Sequence, residues 1–183
     1  MKKLIVLLFS ILISFNSYGE ELKGFFGIDL YDNAEKYVSS NYIKSTKQKD
    51  TETHNGYFYI NITDKITSKS PYFSEYWLTI DLNNNIHSIE SNEEYADIKR
   101  CQEFLETLAS SIEEIHGINF EYDEVFFPKG KRYRYTLFTS SNNYLSLQCN
   151  ENDDLSYHGM MLYLDSQDLL DARNEFYNSG LWT

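Results

Sequence analysis

The 183-residue sequence predicts an α+β fold, with mostly antiparallel sheet packed by a long central helix and one disulfide. Three observations predict it. Seven segments alternate apolar and polar residues with the two-residue period of half-buried strands. One long segment, residues 92–116, instead repeats its apolar residues every three or four positions, the period of an amphipathic helix. Strands and helices come in runs and do not alternate one by one, which is the α+β pattern.

Residues 1–19 are expected to lie outside the fold. Lys2 and Lys3 precede a nearly unbroken apolar run from Leu4 to Phe15, which is short for a bilayer span. Small residues, Ser17 and Gly19, then precede a cut expected before Glu20, the pattern of a cleaved secretory signal peptide. Removing 19 residues, two of them lysines, from 183 at net charge −12 leaves 164 at −14. With no cysteine at the cut, no lipid anchor is expected. Residues 20–183 are expected to form a single exported domain with no stable membrane anchor. The periplasm is the preferred compartment and the extracellular space the alternative.

Within the domain, Leu22–Leu30 reads as a short strand or an irregular lead-in. Asp32 and Glu35 have capping-box spacing for a short helix from Asn33 to Ser40. Residues 44–56 read as a loop. Strands are expected over 57–62, 75–82 and 86–90, with Asn83-Asn84-Asn85 as the turn of a hairpin. Ser91 and Glu94 form a second capping box, so the long helix is expected from Asn92 to His116, with Gly117 as its left-handed cap. Strands over 120–127 and 131–138 flank the turn Pro128-Lys129-Gly130. Strands over 144–149 and 157–164 follow, and a helix from Gln167 to Tyr177 closes the chain. This order allows two α-β-β-β units around a shared sheet.

The even cysteine count fits an oxidising compartment and one bridge, Cys101–Cys149. Cys101 lies on the apolar stripe Ile98, Leu105, Leu108, Ile112, Ile115, and Cys149 lies on the apolar parity of Leu145 and Leu147. Gly27-Ile28-Asp29-Leu30 leads into a short helix through Val38. With helices stacked on antiparallel sheet, this layout resembles small exported binding domains, such as the β-lactamase inhibitor proteins and the small lipoproteins of outer-membrane barrel assembly. The second group's lipid-anchor cysteine is missing, and no functional residue carries over.

A pI near 4.7 argues against a nucleic-acid binder. His54, His87, His116 and His158 lie in different elements, and no zinc spacing, phosphate loop, dinucleotide fingerprint or serine elbow is present, so no metal or cofactor is expected. The informative feature is the outward parity of the strands. If the apolar residues face the core, Tyr57, Tyr59, Trp77, Arg132, Arg134, Tyr144, Tyr157 and Tyr163 share the opposite face. Tyr, Trp and Arg combine large contact area with a polar handle and dominate binding hot spots. Lys129, Lys131, Arg132 and Arg134 form a local basic patch, read as guarding an edge strand. The expectation is therefore a non-catalytic, exported interaction module. Its acidity would favour a cationic protein partner, as for an inhibitor of a basic protein or an envelope accessory. The alternative is a small exported hydrolase built from dispersed carboxylates or a histidine.

Overall fold

The structure is a computed structural model and describes residues 22–53, 56–152 and 158–179. The expected signal peptide lies outside the described residues. β1 (Gly24–Phe25) and β2 (Ile28–Asp29) pair as a small ribbon. All other strands join one antiparallel sheet: β3 (Gln48–Lys49), β4 (Phe58–Asn61), β5 (Glu75–Ile80), β6 (Ile86–Glu94), β7 (Glu121–Phe127), β8 (Gly130–Phe138), β9 (Tyr144–Asn152) and β10 (His158–Asp165). Their order across the sheet is β3-β4-β5-β6-β10-β9-β8-β7. The helices are α1 (Ser40–Thr46), α2 (Ile98–His116) and α3 (Gln167–Asn178).

The fold is α+β, as the run pattern predicts. Two antiparallel meanders meet side by side at the β6–β10 seam. Each contributes four strands to the sheet, not three, so a pair of α-β-β-β units is not established. α2 is not central to the molecule. It covers one face of the second meander, against β9 and β10.

The period of two sets the division of labour between the faces. On the inner face lie Ile60, Leu78, Ile89, Leu164 and Leu145, each buried and successive across five strands. α2 buries Cys101, Leu105, Leu108 and Ile112 against this face. Cys101 and Cys149 are joined across it as expected, closing a separation of 48 residues.

Several boundaries differ from the sequence reading. The short helix expected from Asn33 to Ser40 is a 3-10 turn over Ala34–Lys36, capped by Asn33 and not Asp32. Asp32 instead binds Lys36 Nζ and Tyr37 Oη at 2.7 and 2.6 Å. Ser39 then caps a separate helix, α1, inside the segment read partly as loop. β6 continues through the proposed Ser91–Glu94 capping box, and α2 begins only after Asp97, whose carboxylate accepts from Arg100 N. The reason is pairing on both sides: Ser91 sits between Tyr76 and Leu162, so two ladders outweigh one local cap. Leu82, expected inward, is 70% exposed because β5 stops at Ile80. Gly117 adopts the expected left-handed conformation, φ 65°.

Candidate functional site

The face opposite α2 is concave and forms a cleft of about 610 Å³, within the roughly 300–1,000 Å³ usual for small-molecule sites. Its floor is the outward parity of β4, β5, β6, β10, β9 and β8. One wall is α3, through Leu170, Arg173 and Tyr177. Ser166 caps α3, its Oγ accepting from Leu169 N at 3.3 Å, and Leu169 is buried beneath it. This cap fixes where the helix begins, and therefore where Arg173 falls two turns later.

Of the eight outward residues predicted from parity, Tyr59, Trp77, Arg132, Arg134, Tyr144 and Tyr163 line this one cleft. Tyr57 does not line it. Its ring packs edge-on against His87 at 5.2 Å, near the start of α3. Tyr157 lies outside the described residues. Lys131 is not an edge guard: it stands on β8, flanked by β7 and β9, and pairs with Glu124 at 2.5 Å. The exposed edge is β7.

Registers order the floor. One cross-strand row runs Trp77 on β5, Glu90 on β6, Tyr163 on β10 and Ser146 on β9. Aromatic and hydrogen-bonding side chains thus alternate along a line perpendicular to the strands. Gln148 and Arg134 are neighbours in the next row, and Asn150 and Arg132 in the row after that.

Arg173 is the electrostatic centre of the α3 side. Its Nη1 donates to Asp165 Oδ2 at 3.2 Å and its Nη2 to Tyr59 Oη at 3.0 Å. Asp50 Oδ2 and Glu52 Oε2 lie 3.7 Å from the guanidinium, within ion-pair range but beyond hydrogen bonding. Burial alone would lower the Arg173 pKa, but Asp165, Tyr59, Asp50 and Glu52 outweigh it and hold it above its ordinary value. Burial raises the Tyr59 phenol, partly against Arg173. Asp165 is buried, accepts from Ser88 Oγ as well as Arg173, and is pushed up by desolvation.

The other end of the cleft is basic. Arg134 forks onto Asp123, Nε to Oδ1 at 2.8 Å and Nη2 to Oδ2 at 2.5 Å. That pair holds the Asp123 carboxyl below its usual range. Arg132 differs. Its Nε donates to Asn150 Oδ1 at 2.7 Å, and among the described residues no carboxylate lies within ion-pair distance of it.

Two floor groups are also uncommitted. Ser146 Oγ is buried and meets no hydrogen-bond partner among the described residues. Glu90 is largely buried, has no cation within ion-pair range among the described residues, and accepts only from Asn92 Nδ2 at 3.1 Å. Burial pushes its carboxyl up to about 7, with the Asn92 hydrogen bond opposing.

Sequence reasoning missed Glu90, Ser146, Gln148, Asp165 and Arg173. The first three carry the same outward parity as the aromatic residues, so that parity is the signal that marks them. No local pattern marks Arg173, which reaches the sheet only through the docking of α3.

A second cluster imitates a hydrolytic triad. His87 Nδ1 lies 2.9 Å from Ser166 Oγ, and His87 Nε2 lies 3.6 Å from Asp81 Oδ2. Ser166 is fully buried and committed as the α3 cap, and neither it nor His87 lines the cleft. A nucleophile needs an approach path for substrate, so this cluster is structural. In the cleft itself, Glu90 shares the lining with two other carboxylates, Asp165, which is engaged by Ser88 and Arg173, and Glu52, which lies in ion-pair range of Arg173. Among the described residues, no cluster of three or more metal-binding side chains occurs, and no helix is long and apolar enough to cross a membrane.

Comparison with protein-family models, with curated proteins and with solved structures finds no match for this chain.

Proposed function

We propose that this protein is an exported binding module whose working surface is the concave sheet face walled by α3. The observation that carries this reading is the convergence of six parity-predicted aromatic and guanidinium side chains on one cleft. Among the described residues, three further groups there retain capacity: Ser146 Oγ meets no hydrogen-bond partner, Glu90 meets no cation, and Arg132, which lies over the Phe127 ring, meets no carboxylate. Folding ordinarily satisfies buried polar groups internally, and groups left unsatisfied in a concave site are available to a ligand. The lysine-led apolar leader and the disulfide support export to an oxidising compartment, with the periplasm preferred.

The test uses the mature chain from Glu20, in a Trp182→Phe background that leaves Trp77 as the sole tryptophan. Fractions of envelope extract are titrated against Trp77 emission. A saturable shift in one fraction, abolished by Ser146→Leu in a variant that still folds, supports the cleft. Extracts that bind the protein without disturbing Trp77, and equally well in the Ser146→Leu variant, overturn it.

The hydrolase alternative draws on Glu90, a protonatable carboxyl facing the cleft. With Asp165 already committed, the binding reading is the stronger. A cationic protein, favoured by the overall charge, would meet at the β8 end of the cleft the Arg132 guanidinium, which among the described residues has no carboxylate in ion-pair range.

A further inference from the structure

We infer that the cleft takes an acidic oligosaccharide, laid across the strands with a carboxylate on Arg132 and sugar rings against Trp77 and Tyr163. This rests on the binding reading above and names its ligand class.

The spacing of the floor is the first ground. Trp77 and Tyr163 occupy one cross-strand row with β6 between their strands. Two strand spacings separate them, about 10 Å. A pyranose ring in an extended glycan advances by about one strand spacing, ~5 Å. The two aromatic side chains therefore match every second ring, each offering a flat face to the apolar C–H side of a sugar. Between and beside them in the same row stand Glu90 and Ser146, groups that exchange hydrogen bonds with hydroxyls. Alternation of flat faces with hydroxyl partners is the chemistry a polyhydroxylated chain requires, and a purely apolar ligand would leave Ser146 Oγ unmatched.

Charge is the second ground, and it is independent of the first. Arg134 and Arg173 are already paired with carboxylates. Among the described residues, Arg132 lines the same cleft without a carboxylate partner, and its Nε is held by Asn150, which fixes the plane of the guanidinium. A planar fork of this kind suits a carboxylate. Arg132 stands on β8, four strand spacings from Trp77 on β5, about 19 Å across the sheet, and two same-face rows, about 13 Å, along the strands. One sugar cannot reach both, whereas a chain of four rings, about 20 Å long and laid obliquely, can with the reach of the Arg132 side chain. The protein's net charge of −12 opposes an anion at long range, but charges beyond about 8 Å are largely screened at physiological salt. The local guanidinium then decides.

The probes are tetragalacturonate, the neutral α-1,4-linked tetrasaccharide maltotetraose, and citrate, which supplies carboxylates without sugar rings. Calorimetry and Trp77 emission are followed in the mature chain with Trp182→Phe. Tetragalacturonate is expected to bind saturably and shift the emission, maltotetraose to bind at least about tenfold more weakly, and citrate to leave Trp77 undisturbed. Arg132→Gln is expected to erase the difference between the two glycans, and Trp77→Phe to retain more affinity than Trp77→Ala. Equal affinity for both glycans, unchanged by Arg132→Gln, overturns the carboxylate anchor. Citrate as strong as tetragalacturonate overturns the saccharide. If none of the three binds while an envelope fraction still shifts Trp77, the ligand class falls and the cleft stands. If a basic protein such as lysozyme is bound and Trp77→Ala releases it, the occupant is a cationic protein and this inference fails.

Discussion

The two faces of the eight-stranded sheet are made by the same strands, yet they are different materials. On the α2 side, Leu145, Leu147 and Cys149 alternate inward and pack with Leu105, Leu108 and Ile112. On the α3 side, the intervening Ser146, Gln148 and Asn150 are also buried, but they are polar, and Ser146 and Gln148 line the floor of the cleft. Burial is thus similar on the two faces while its chemistry is opposite. Apolar area removed from water stabilises by roughly 25 cal/mol per Å², whereas burying a polar group costs free energy unless it is paired. One face holds the fold together, and the other carries polar groups whose burial the first must offset.

That contrast is sharpened most by removing the bridge behind the apolar face. Replacing both Cys101 and Cys149 by alanine frees a loop of 48 residues, and the loss expected from chain entropy is about 4 kcal/mol. Urea unfolding measures it. Binding at the cleft should persist wherever the variant remains folded; a variant that stays folded but no longer binds would break the separation of the two faces.

Arg173→Leu tests the opposite face. It leaves Asp50 and Asp165 buried without their cation, and breaking such a network costs about 3 kcal/mol. The same variant with Asp165→Asn should recover part of the loss, because one stranded carboxylate is gone. A double variant no more stable than Arg173→Leu would show that Asp165 does not depend on the pair.

Glu90 sets a pH signature. Its folded carboxyl titrates near 7 because burial penalises the charged form, while an unfolded Glu titrates near 4.3. The raised value means its contribution is complete below the unfolded pKa and is lost as pH climbs through the folded one. Stability should therefore fall between about pH 4.5 and 7.5, by about 2 kcal/mol once partial solvent access is allowed for. Glu90→Gln should abolish this share of the fall, with little effect at pH 4 and a gain at pH 8. Identical stability of the two proteins at pH 8 would remove Glu90 from this role. The buried Asp165 shifts in the same direction, so some of the slope should remain in the variant.

The smallest effect on folding is expected at Trp77. The ring is only half-buried on the cleft side, so Trp77→Ala should cost about 1 kcal/mol or less while removing ligand contact. A large loss of stability would show that Trp77 belongs to the core.

Period alone made much of this legible. Alternation in residues 75–82 and 144–149 marks which side chains share a face, and six of the eight outward residues line one cleft. The three- and four-residue spacing from Ile98 to Ile115 placed Cys101 inside, opposite Cys149. These features are local, because the direction of a side chain follows from the backbone geometry of its own segment. Other features depend on partners distant in the chain. Ser91 and Glu94 have the spacing of a helix cap, but ladders to β5 and β10 keep them in a strand. Arg173 has no local mark at all; it becomes the centre of the cleft because α3 folds back to meet Asp50 and Tyr59. The aromatic row becomes the floor of a cleft only when β6 pairs with β10 and α3 walls it, non-local contacts whose free energy no short stretch of sequence encodes.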